Sequence, residues 1–362
     1  MGTIVIIDIV RVIVPAALAF FIGITITPVI AHYLYKYKAW KKKAGKGVGY
    51  GGGATPIFDE LHKGKDTGTP RMGGIVIWAS VCITIIGIWF LNVIGPNPIL
   101  ESFNFLSRSQ TWLPFLALMV GAIVGLVDDV LVVRGTGKHF AGGLPLSQRL
   151  LTVGSVALFA AWWFYDKLEI SSINIPFDGS LELGVFFIPF FVLVALAIYA
   201  SGVIDGIDGL SGGVFATIFA AYAGIAFYQQ QYDIAALCAT LVGGILAFLW
   251  FNIPPARFYM TETGIMGLTM ALTVVAFMTD VLGEGNGVFA LPIVGLLLVF
   301  TVLSVVIQVT SKKLRGGKKV FKVAPLHHHF EAIGWPGYKV AMRYWVISII
   351  CAVLGIIVAL AG

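Results

Sequence analysis

The sequence predicts an all-α integral membrane protein with about ten transmembrane helices, in a single domain that covers residues 1–362. Two observations predict this fold class. Of the 362 residues, 58% are hydrophobic and only 12% are charged, whereas soluble domains are typically about 45–50% apolar and about 25% charged. The apolar residues are also gathered into runs close to the roughly 20 residues that a helix needs to cross a bilayer.

Ten apolar runs are the candidate membrane spans. They lie at residues 11–35, 72–95, 111–127, 148–165, 185–203, 211–229, 233–251, 263–280, 287–309 and 340–361. No basic segment precedes the first run and no small-residue cleavage site follows it, so we expect a retained span rather than a signal peptide. All three cysteines fall inside such runs, which predicts packing residues rather than a disulfide framework.

The basic residues predict how the spans are oriented. With ten spans, the loops 36–71, 128–149, 252–262 and 310–343 share one side of the membrane. They hold all of the 24 Lys and Arg residues except Arg11, Arg108 and Lys167. Cytoplasmic loops collect Lys and Arg, so these loops are predicted to be cytoplasmic and both termini extracytoplasmic.

A small β-hairpin is predicted on the outer side. The segment LEISSINIPFDGSLELG, residues 168–184, alternates apolar and polar residues on either side of Asp178 and Gly179. Short alternating runs around such a dipeptide are typical of a hairpin. It is the only β structure that the sequence predicts.

The acidic residues avoid the middles of the spans. Proton-coupled and ion-coupled transporters usually carry an ionisable group near the midplane, so this distribution argues against a transporter. Five acids instead stand at predicted cytoplasmic ends of spans, where burial is costly unless a cation compensates. They are Asp128, Asp129, Asp205, Asp208 and Glu262. Any one of them alone could be a solvated helix end, but three groups at one depth indicate a site.

These acids favour phosphoryl transfer at the cytoplasmic membrane surface. Converging carboxylates suit Mg²⁺, which prefers oxygen ligands and is commonly shared with substrate phosphates. A lipid-borne acceptor would explain why the site stands at the ends of spans. In that chemistry a metal neutralises a diphosphate and a nucleophile attacks in line.

Two glycine-rich turns accompany the acids. GTPRMGG, residues 68–74, leads into the second span, and DGIDGLSGG, residues 205–213, leads into the sixth. Glycines at helix starts let backbone N–H groups approach an anion, helped by the helix dipole. The alternative is that they break loops and allow tight packing of membrane helices.

These segments resemble motifs of the polyprenyl-phosphate N-acetylhexosamine-1-phosphate transferase superfamily. GTPRMGG resembles its GTPTMGG, GLVDDV its double-aspartate motif, DGIDGL its DGLDGL, and FNIPPARFYM its FNxxPAxVFM. The most specific segment is APLHHHFEAIGWPGYKV, residues 324–340, because sister enzymes that use other sugars lack the triple histidine. The whole chain therefore resembles the phospho-N-acetylmuramoyl-pentapeptide-transferases.

The resemblance implies ten spans and a cytoplasmic active site in the bacterial inner membrane. It implies transfer of phospho-MurNAc-pentapeptide from UDP-MurNAc-pentapeptide to undecaprenyl phosphate, which forms lipid I and UMP in the first membrane step of peptidoglycan synthesis. Mg²⁺ is the implied cofactor, the lipid bilayer is a partner and nucleic acid is not. Family members are often dimers, so a homodimer is one expected assembly.

The resemblance also implies roles for individual residues. The implied catalytic residues are Asp128, Asp129 and Glu262, and the implied metal ligands are Glu262 and Asp128. The implied substrate-binding residues are Lys65, Asp205, Asp208, His327, His328 and His329. Successive residues of a helix point about 100° apart, so three adjacent histidines are not expected to share one metal ion and are predicted to recognise the donor.

Three departures from the family motifs leave alternatives open. Glu262 stands where the family's MGDxGS has Asp, Gly202 where Asn is usual, and Val132 where Lys is usual. Lys138 and Arg149, in the loop that follows, could partly substitute for that Lys. The departures motivate a catalytically inactive membrane module, such as a scramblase or scaffold. A sister transferase that moves GlcNAc-1-phosphate is the other alternative. The retained acids and histidines favour an active, divergent transferase.

Overall fold

The computed structural model describes residues 2–42, 60, 67–95, 97–106, 110–136 and 143–361. Lys65, a predicted substrate-binding residue, lies outside these described residues. Within them the chain forms thirteen α-helices and one two-stranded sheet. The helices are α1 (Gly2–Lys36), α2 (Ile75–Ile94), α3 (Pro98–Phe103), α4 (Trp112–Arg134), α5 (Leu146–Trp162), α6 (Phe187–Ala200), α7 (Leu210–Tyr228), α8 (Tyr232–Asn252), α9 (Thr261–Met278), α10 (Gly287–Val294), α11 (Leu296–Leu314), α12 (Leu326–Ala332) and α13 (Gly337–Leu360).

The predicted membrane class is confirmed. Nine helical segments within the described ranges are long and apolar enough to cross a membrane. The remaining predicted span, 148–165, corresponds to α5, which has 17 residues and continues into one π-helical turn, Trp163–Lys167. The predicted span 287–309 is interrupted at Gly295, which separates α10 from α11. The outside location of both termini stays a prediction from the charge distribution.

The predicted hairpin is confirmed as well. Strands β1 (Ser172–Ile175) and β2 (Gly179–Glu182) pair in antiparallel register. Gly179 adopts φ +86° at the turn, a left-handed conformation that glycine accepts without steric cost. Asp280 fixes the hairpin to the helices, because its carboxylate accepts a 2.8 Å hydrogen bond from the Asn174 backbone N–H.

The close packing of α4 on α9 positions the acidic residues. α9 is almost entirely buried among the other helices. Gly125 of α4 lies against the Glu262 carbonyl, and Gly121 against the Met266 carbonyl, with no room for a Cβ atom at either glycine. Small residues let membrane helices approach closely. This contact brings the last turns of α4 beside the first turn of α9.

Candidate active site

Three acidic segments that are distant in sequence meet at one end of the helix bundle. The double aspartate lies in the last turns of α4, Asp205 in the turn before α7, and Glu262 in the first turn of α9. This end is the one that the distribution of basic residues predicts to be cytoplasmic. The structure therefore brings together the acids that the sequence placed in separate clusters.

Asp129 forms a buried ion pair with Arg71 of the glycine-rich turn. Its side chain is fully buried, and its Oδ1 accepts hydrogen bonds from Arg71 Nε at 3.1 Å and Nη2 at 2.9 Å. Burial lowers the pKa of the Arg71 guanidinium, but the Asp129 carboxylate more than compensates, so that this pKa lies above its ordinary value. Arg71 is therefore charged, and the pair joins the GTPRMGG turn to α4.

The second oxygen of Asp129 is also fully occupied. Oδ2 accepts hydrogen bonds from the Thr261 hydroxyl, from the Thr263 backbone N–H at 2.9 Å and from the Thr263 hydroxyl at 2.6 Å. A carboxylate offers about four lone-pair sites, and five donors point at this one. Asp129 therefore has no free oxygen for a metal ion or a proton, and its geometry suits holding the site together.

Thr261 connects three of the sequence motifs. Besides its bond to Asp129, its hydroxyl accepts a 3.1 Å hydrogen bond from the Met72 N–H, and its own N–H donates to Asp205 Oδ2 at 2.8 Å. Thr261 has φ +55°, a left-handed conformation that costs of order 1–3 kcal/mol for such a residue. These hydrogen bonds offset the strain, so the motifs hold Thr261 in a conformation that it would not adopt by itself.

Asp205 and Asp208 hold the turn before α7 from two sides. Asp205 accepts a 2.6 Å hydrogen bond from the Ser211 hydroxyl, yet burial raises the pKa of its carboxyl above the ordinary range. Asp208 Oδ2 accepts a 3.2 Å hydrogen bond from the Ala256 N–H. Both predicted substrate-binding acids thus also have structural partners, Asp205 toward the acidic cluster and Asp208 toward the loop after α8.

Arg149 of α5 lies between the other two acids. Its Nη1 donates a 2.9 Å hydrogen bond to Glu262 Oε1, and its Nη2 lies 3.1 Å from Asp128 Oδ2 but without hydrogen-bonding geometry. Asp128 Oδ1 accepts a 2.6 Å hydrogen bond from the Leu144 N–H. Glu262 Oε2 is buried and accepts no hydrogen bond from any described residue. This half of the cluster is therefore incompletely bonded, in contrast to Asp129.

Asp128 and Glu262 are the residues that fit the predicted magnesium ion. Mg²⁺ is usually held by one or two carboxylates together with substrate phosphates. The buried, unbonded oxygen of Glu262 and the Asp128 oxygen that only Arg149 approaches supply such a donor set. Among the described residues, no group of three or more His, Cys, Asp or Glu side chains is arranged around one point, so a substrate and water would have to complete the coordination.

The three histidines form most of the short helix α12. His327 and His328 are buried, and a Cβ atom on Gly206 would come within 2.6 Å of the Nε2 atom of each. The absence of a side chain at Gly206 is thus what admits both rings to the turn between Asp205 and Asp208. His328 Nδ1 lies 2.7 Å from Glu331 Oε2, and His329 Nδ1 accepts a 3.2 Å hydrogen bond from the Lys322 N–H. The Nε2 atoms of His327 and His328 thus lie side by side at Gly206, whereas His329 bonds to the backbone of Lys322 instead.

Comparisons with known proteins identify the family. The glycosyl transferase family 4 profile matches residues 111–280, which contain all five acids. The phospho-N-acetylmuramoyl-pentapeptide-transferase of Listeria monocytogenes serovar 1/2a is 32% identical, over 95% of this chain and 97% of that protein. The enzyme of the same name from Anoxybacillus flavithermus is 33% identical, over 94% and 95% of the two chains. This chain belongs to the phospho-N-acetylmuramoyl-pentapeptide-transferase family. The resemblance predicted from the motifs is confirmed.

The departures from the phospho-N-acetylmuramoyl-pentapeptide-transferase motifs are accommodated by packing. Ile265, at the last position of the motif MGDxGS, occupies the space that any side chain at Gly202 would need. The Asn and the Ser of the family motifs are therefore both absent here. Gly202 and Ile265 stand in their places, and neither has a polar side-chain atom. Val132 is buried and packs beside Gly143. The replaced positions are thus filled with apolar contacts.

Sequence reasoning missed three residues of the site: Arg71, Arg149 and Thr261. Arg71 stands where the family motif GTPTMGG has Thr, and Thr261, next to Glu262, stands where MGDxGS has Gly, so both residues differ from the motifs. Arg149 was expected only to replace, together with Lys138, part of the role of the family Lys at position 132, and its pairing with the acids was missed. The signal that could have found the two arginines is charge balance, because buried carboxylates need nearby cations.

A row of polar side chains on α11 fixes the histidine helix. Ser304 Oγ accepts a 2.9 Å hydrogen bond from the Leu326 N–H. Gln308 makes three hydrogen bonds. Its Oε1 accepts from the N–H groups of Val320 and Phe321, each at 3.0 Å, and its Nε2 donates to the Phe321 carbonyl at 2.8 Å. Gln308 is buried, so these bonds are shielded from water. The segment before α12 is therefore held along its backbone, independently of its lysine side chains.

We expect the Gln308→Leu variant to release this segment. Three hydrogen bonds of about 0.5–1.5 kcal/mol each are lost, so amide exchange at Val320 and Phe321 should become at least about tenfold faster. Hydrogen–deuterium exchange with mass spectrometry measures it. Thr301→Val is the matched control, since Thr301 is buried on the same helix and bonds only to the Leu297 carbonyl. Equal exchange in the two variants would show that other contacts hold the segment.

Proposed function

We propose that this protein transfers phospho-MurNAc-pentapeptide from UDP-MurNAc-pentapeptide to undecaprenyl phosphate at the cytoplasmic face of a bacterial inner membrane. The products are lipid I and UMP. The observation that carries the proposal is the histidine helix, which lies against the turn that Asp205 joins to the acidic cluster. Family membership along nearly the whole chain supports it.

The reaction exchanges one phosphate linkage for another. An oxygen of undecaprenyl phosphate attacks the sugar-bearing phosphorus of the donor. The bond from that phosphorus to the bridging oxygen breaks, and UMP leaves with the electron pair. Little covalent chemistry is left for the protein, so positioning and charge stabilisation are its tasks in such reactions.

The donor is proposed to bind between the histidine helix and the Asp205 turn. His327 and His328 present their Nε2 atoms there, and neutral imidazoles both donate and accept hydrogen bonds. The backbone N–H groups at the start of α7 add a favourable environment for phosphate. Lys65 and His329 remain predicted contributors to donor binding.

The acceptor phosphate is proposed to meet Asp128. Its Oδ2 is the one oxygen of the double aspartate that accepts no hydrogen bond, although Arg149 lies 3.1 Å from it, and this oxygen is proposed to take a proton from the lipid phosphate or to orient it. Asp129 holds the surrounding backbone through Arg71, Thr261 and Thr263. Bound Mg²⁺, held by Asp128 and Glu262, would supply positive charge for the donor diphosphate.

The test is an assay of the purified protein with defined substrates. We expect UMP release and a lipid-linked product from UDP-MurNAc-pentapeptide, undecaprenyl phosphate and Mg²⁺, and neither after chelation with EDTA. Product from UDP-GlcNAc alone would identify the sister transferase instead. No product from either donor, in a preparation that unfolds cooperatively, would support the inactive membrane module. A homodimer stays a prediction that the mass of the detergent-solubilised protein would check.

A further inference from the structure

The two arginines of the site are bonded in different ways. Arg71 meets Asp129 through two hydrogen bonds to one oxygen, while three other donors saturate the second oxygen. Arg149 spans two carboxylates but makes a hydrogen bond to only one of them, Glu262. The Arg71–Asp129 pair leaves no carboxylate oxygen unbonded. The contacts of Arg149 leave one oxygen each on Asp128 and Glu262 that could take another ligand.

Arg149 lies where a metal ion would have to bind. Asp128 and Glu262 are the two carboxylates that fit Mg²⁺, and the guanidinium contacts both of them at 3.1 and 2.9 Å. Mg²⁺ needs its oxygen ligands at about 2.0–2.1 Å in near-octahedral geometry. The same carboxylates therefore cannot hold Mg²⁺ between them while the guanidinium is in this position.

Arg149 also has the means to move. Its side chain is 16% exposed, so it reaches the surface of the cluster. Besides the two carboxylates, only neutral groups hold it: the Leu144 carbonyl, 3.2 Å from its Nε, and the side chain of Tyr199. A guanidinium binds phosphate oxygens through two parallel hydrogen bonds. A donor diphosphate at the site could thus replace the carboxylates as the partner of Arg149.

We propose that Arg149 is the resident cation of the metal site and excludes a divalent ion until the donor diphosphate draws it away. This inference rests on the proposed function, because it assumes that Asp128 and Glu262 bind the metal. Metal and donor then bind together. The guanidinium of Arg149 moves from the carboxylates to the donor phosphates, and the metal ion supplies the positive charge in its place. The acidic cluster is never left without a compensating cation, which would be costly for buried carboxylates.

Metal binding without donor tests the proposal directly. Mn²⁺ binding to the purified protein is measured from the free-ion signal in electron paramagnetic resonance. We expect the R149Q variant to bind Mn²⁺ at least about tenfold more tightly than the unaltered protein, since its neutral side chain no longer competes. UDP, added as a diphosphate probe, should tighten binding in the unaltered protein and change it much less in R149Q.

Two further variants separate competition from a general charge effect. R71Q removes the same charge from the neighbouring ion pair. Its glutamine amide can still donate to Asp129 Oδ1, and three donors from Thr261 and Thr263 keep Oδ2 occupied, so it should tighten Mn²⁺ binding by much less than R149Q. R149K keeps the charge but lacks the rigid fork of donors that lies between the two carboxylates, so it should bind Mn²⁺ with intermediate affinity; it also serves if R149Q fails to fold. Equal Mn²⁺ affinity in R149Q and the unaltered protein, or equal gains in R71Q and R149Q, would overturn the proposal.

The outcome is separable from that of the transferase assay. Competition between Arg149 and Mn²⁺ in a protein that releases no UMP would contradict the proposed reaction and leave the resident cation standing. UMP release by a protein in which Arg149 does not affect Mn²⁺ affinity would contradict the role of Arg149 as the resident cation and leave the proposed reaction standing.

Discussion

The Asp129→Asn variant is expected to lose about 3–5 kcal/mol of folding stability, because it breaks a buried ion pair and leaves one partner behind. The charge of Arg71 would remain buried without its carboxylate, and an amide NH₂ group would face donors from Arg71 or Thr263. The free energy of unfolding in detergent micelles measures the loss. UMP release should fall as well, since the backbone beside Glu262 is no longer held by the Asp129 carboxylate.

A surface ion pair provides the matched control for that variant. Asp166 pairs with Lys167 at 3.0 Å with both side chains about half exposed, so Asp166→Asn should cost less than about 1 kcal/mol. The double variant Arg71→Gln, Asp129→Asn should be less destabilised than the sum of its parts, because neither partner is left charged and alone. An Asp129→Asn protein that unfolds like the unaltered one would refute the structural role of this aspartate.

The Asp128→Asn variant is expected to lose about 10²–10⁴-fold in the rate of UMP release while unfolding close to the unaltered protein. The amide oxygen of Asn can still accept the hydrogen bond from the Leu144 N–H, and Arg149 keeps its ion pair with Glu262, so its charge is not left alone as that of Arg71 would be. The negative charge facing Arg149 and the lipid phosphate disappears. UMP release at saturating substrates and the unfolding midpoint are measured on the same preparation.

Two results would contradict the division of labour between the aspartates. A rate of UMP release within about threefold of the unaltered protein would show that Asp128 is not needed for phosphoryl transfer. A loss of stability as large as that of Asp129→Asn would show that both aspartates hold the fold. Asp166→Asn again controls for the substitution itself, because it makes the same change at an exposed position.

The spans and the hairpin could be predicted from the sequence because their signals are local. Hydropathy accumulates along a run of about 20 residues, and a hairpin is indicated by the residues around its own turn. The errors were local too. The run at 287–309 carries no charged residue, but Gly295 interrupts it. α5, with Arg149 near its start, has 17 residues, one fewer than the shortest of the nine candidate spans, and continues into the π-helical turn.

The sequence alone established that this is a membrane protein, which end of the helices carries the acids, and which family its motifs resemble. Only the tertiary structure decided which cation meets which acid. Arg71 pairs with Asp129, whose oxygens are fully bonded, whereas Arg149 lies between Asp128 and Glu262. Asp129 therefore has a structural role, and Asp128 is available for the reaction. The physical reason is distance along the chain: Thr263 bonds to Asp129 across 134 residues. Local patterns place charges at a membrane surface, but their pairing depends on how closely α4 and α9 pack.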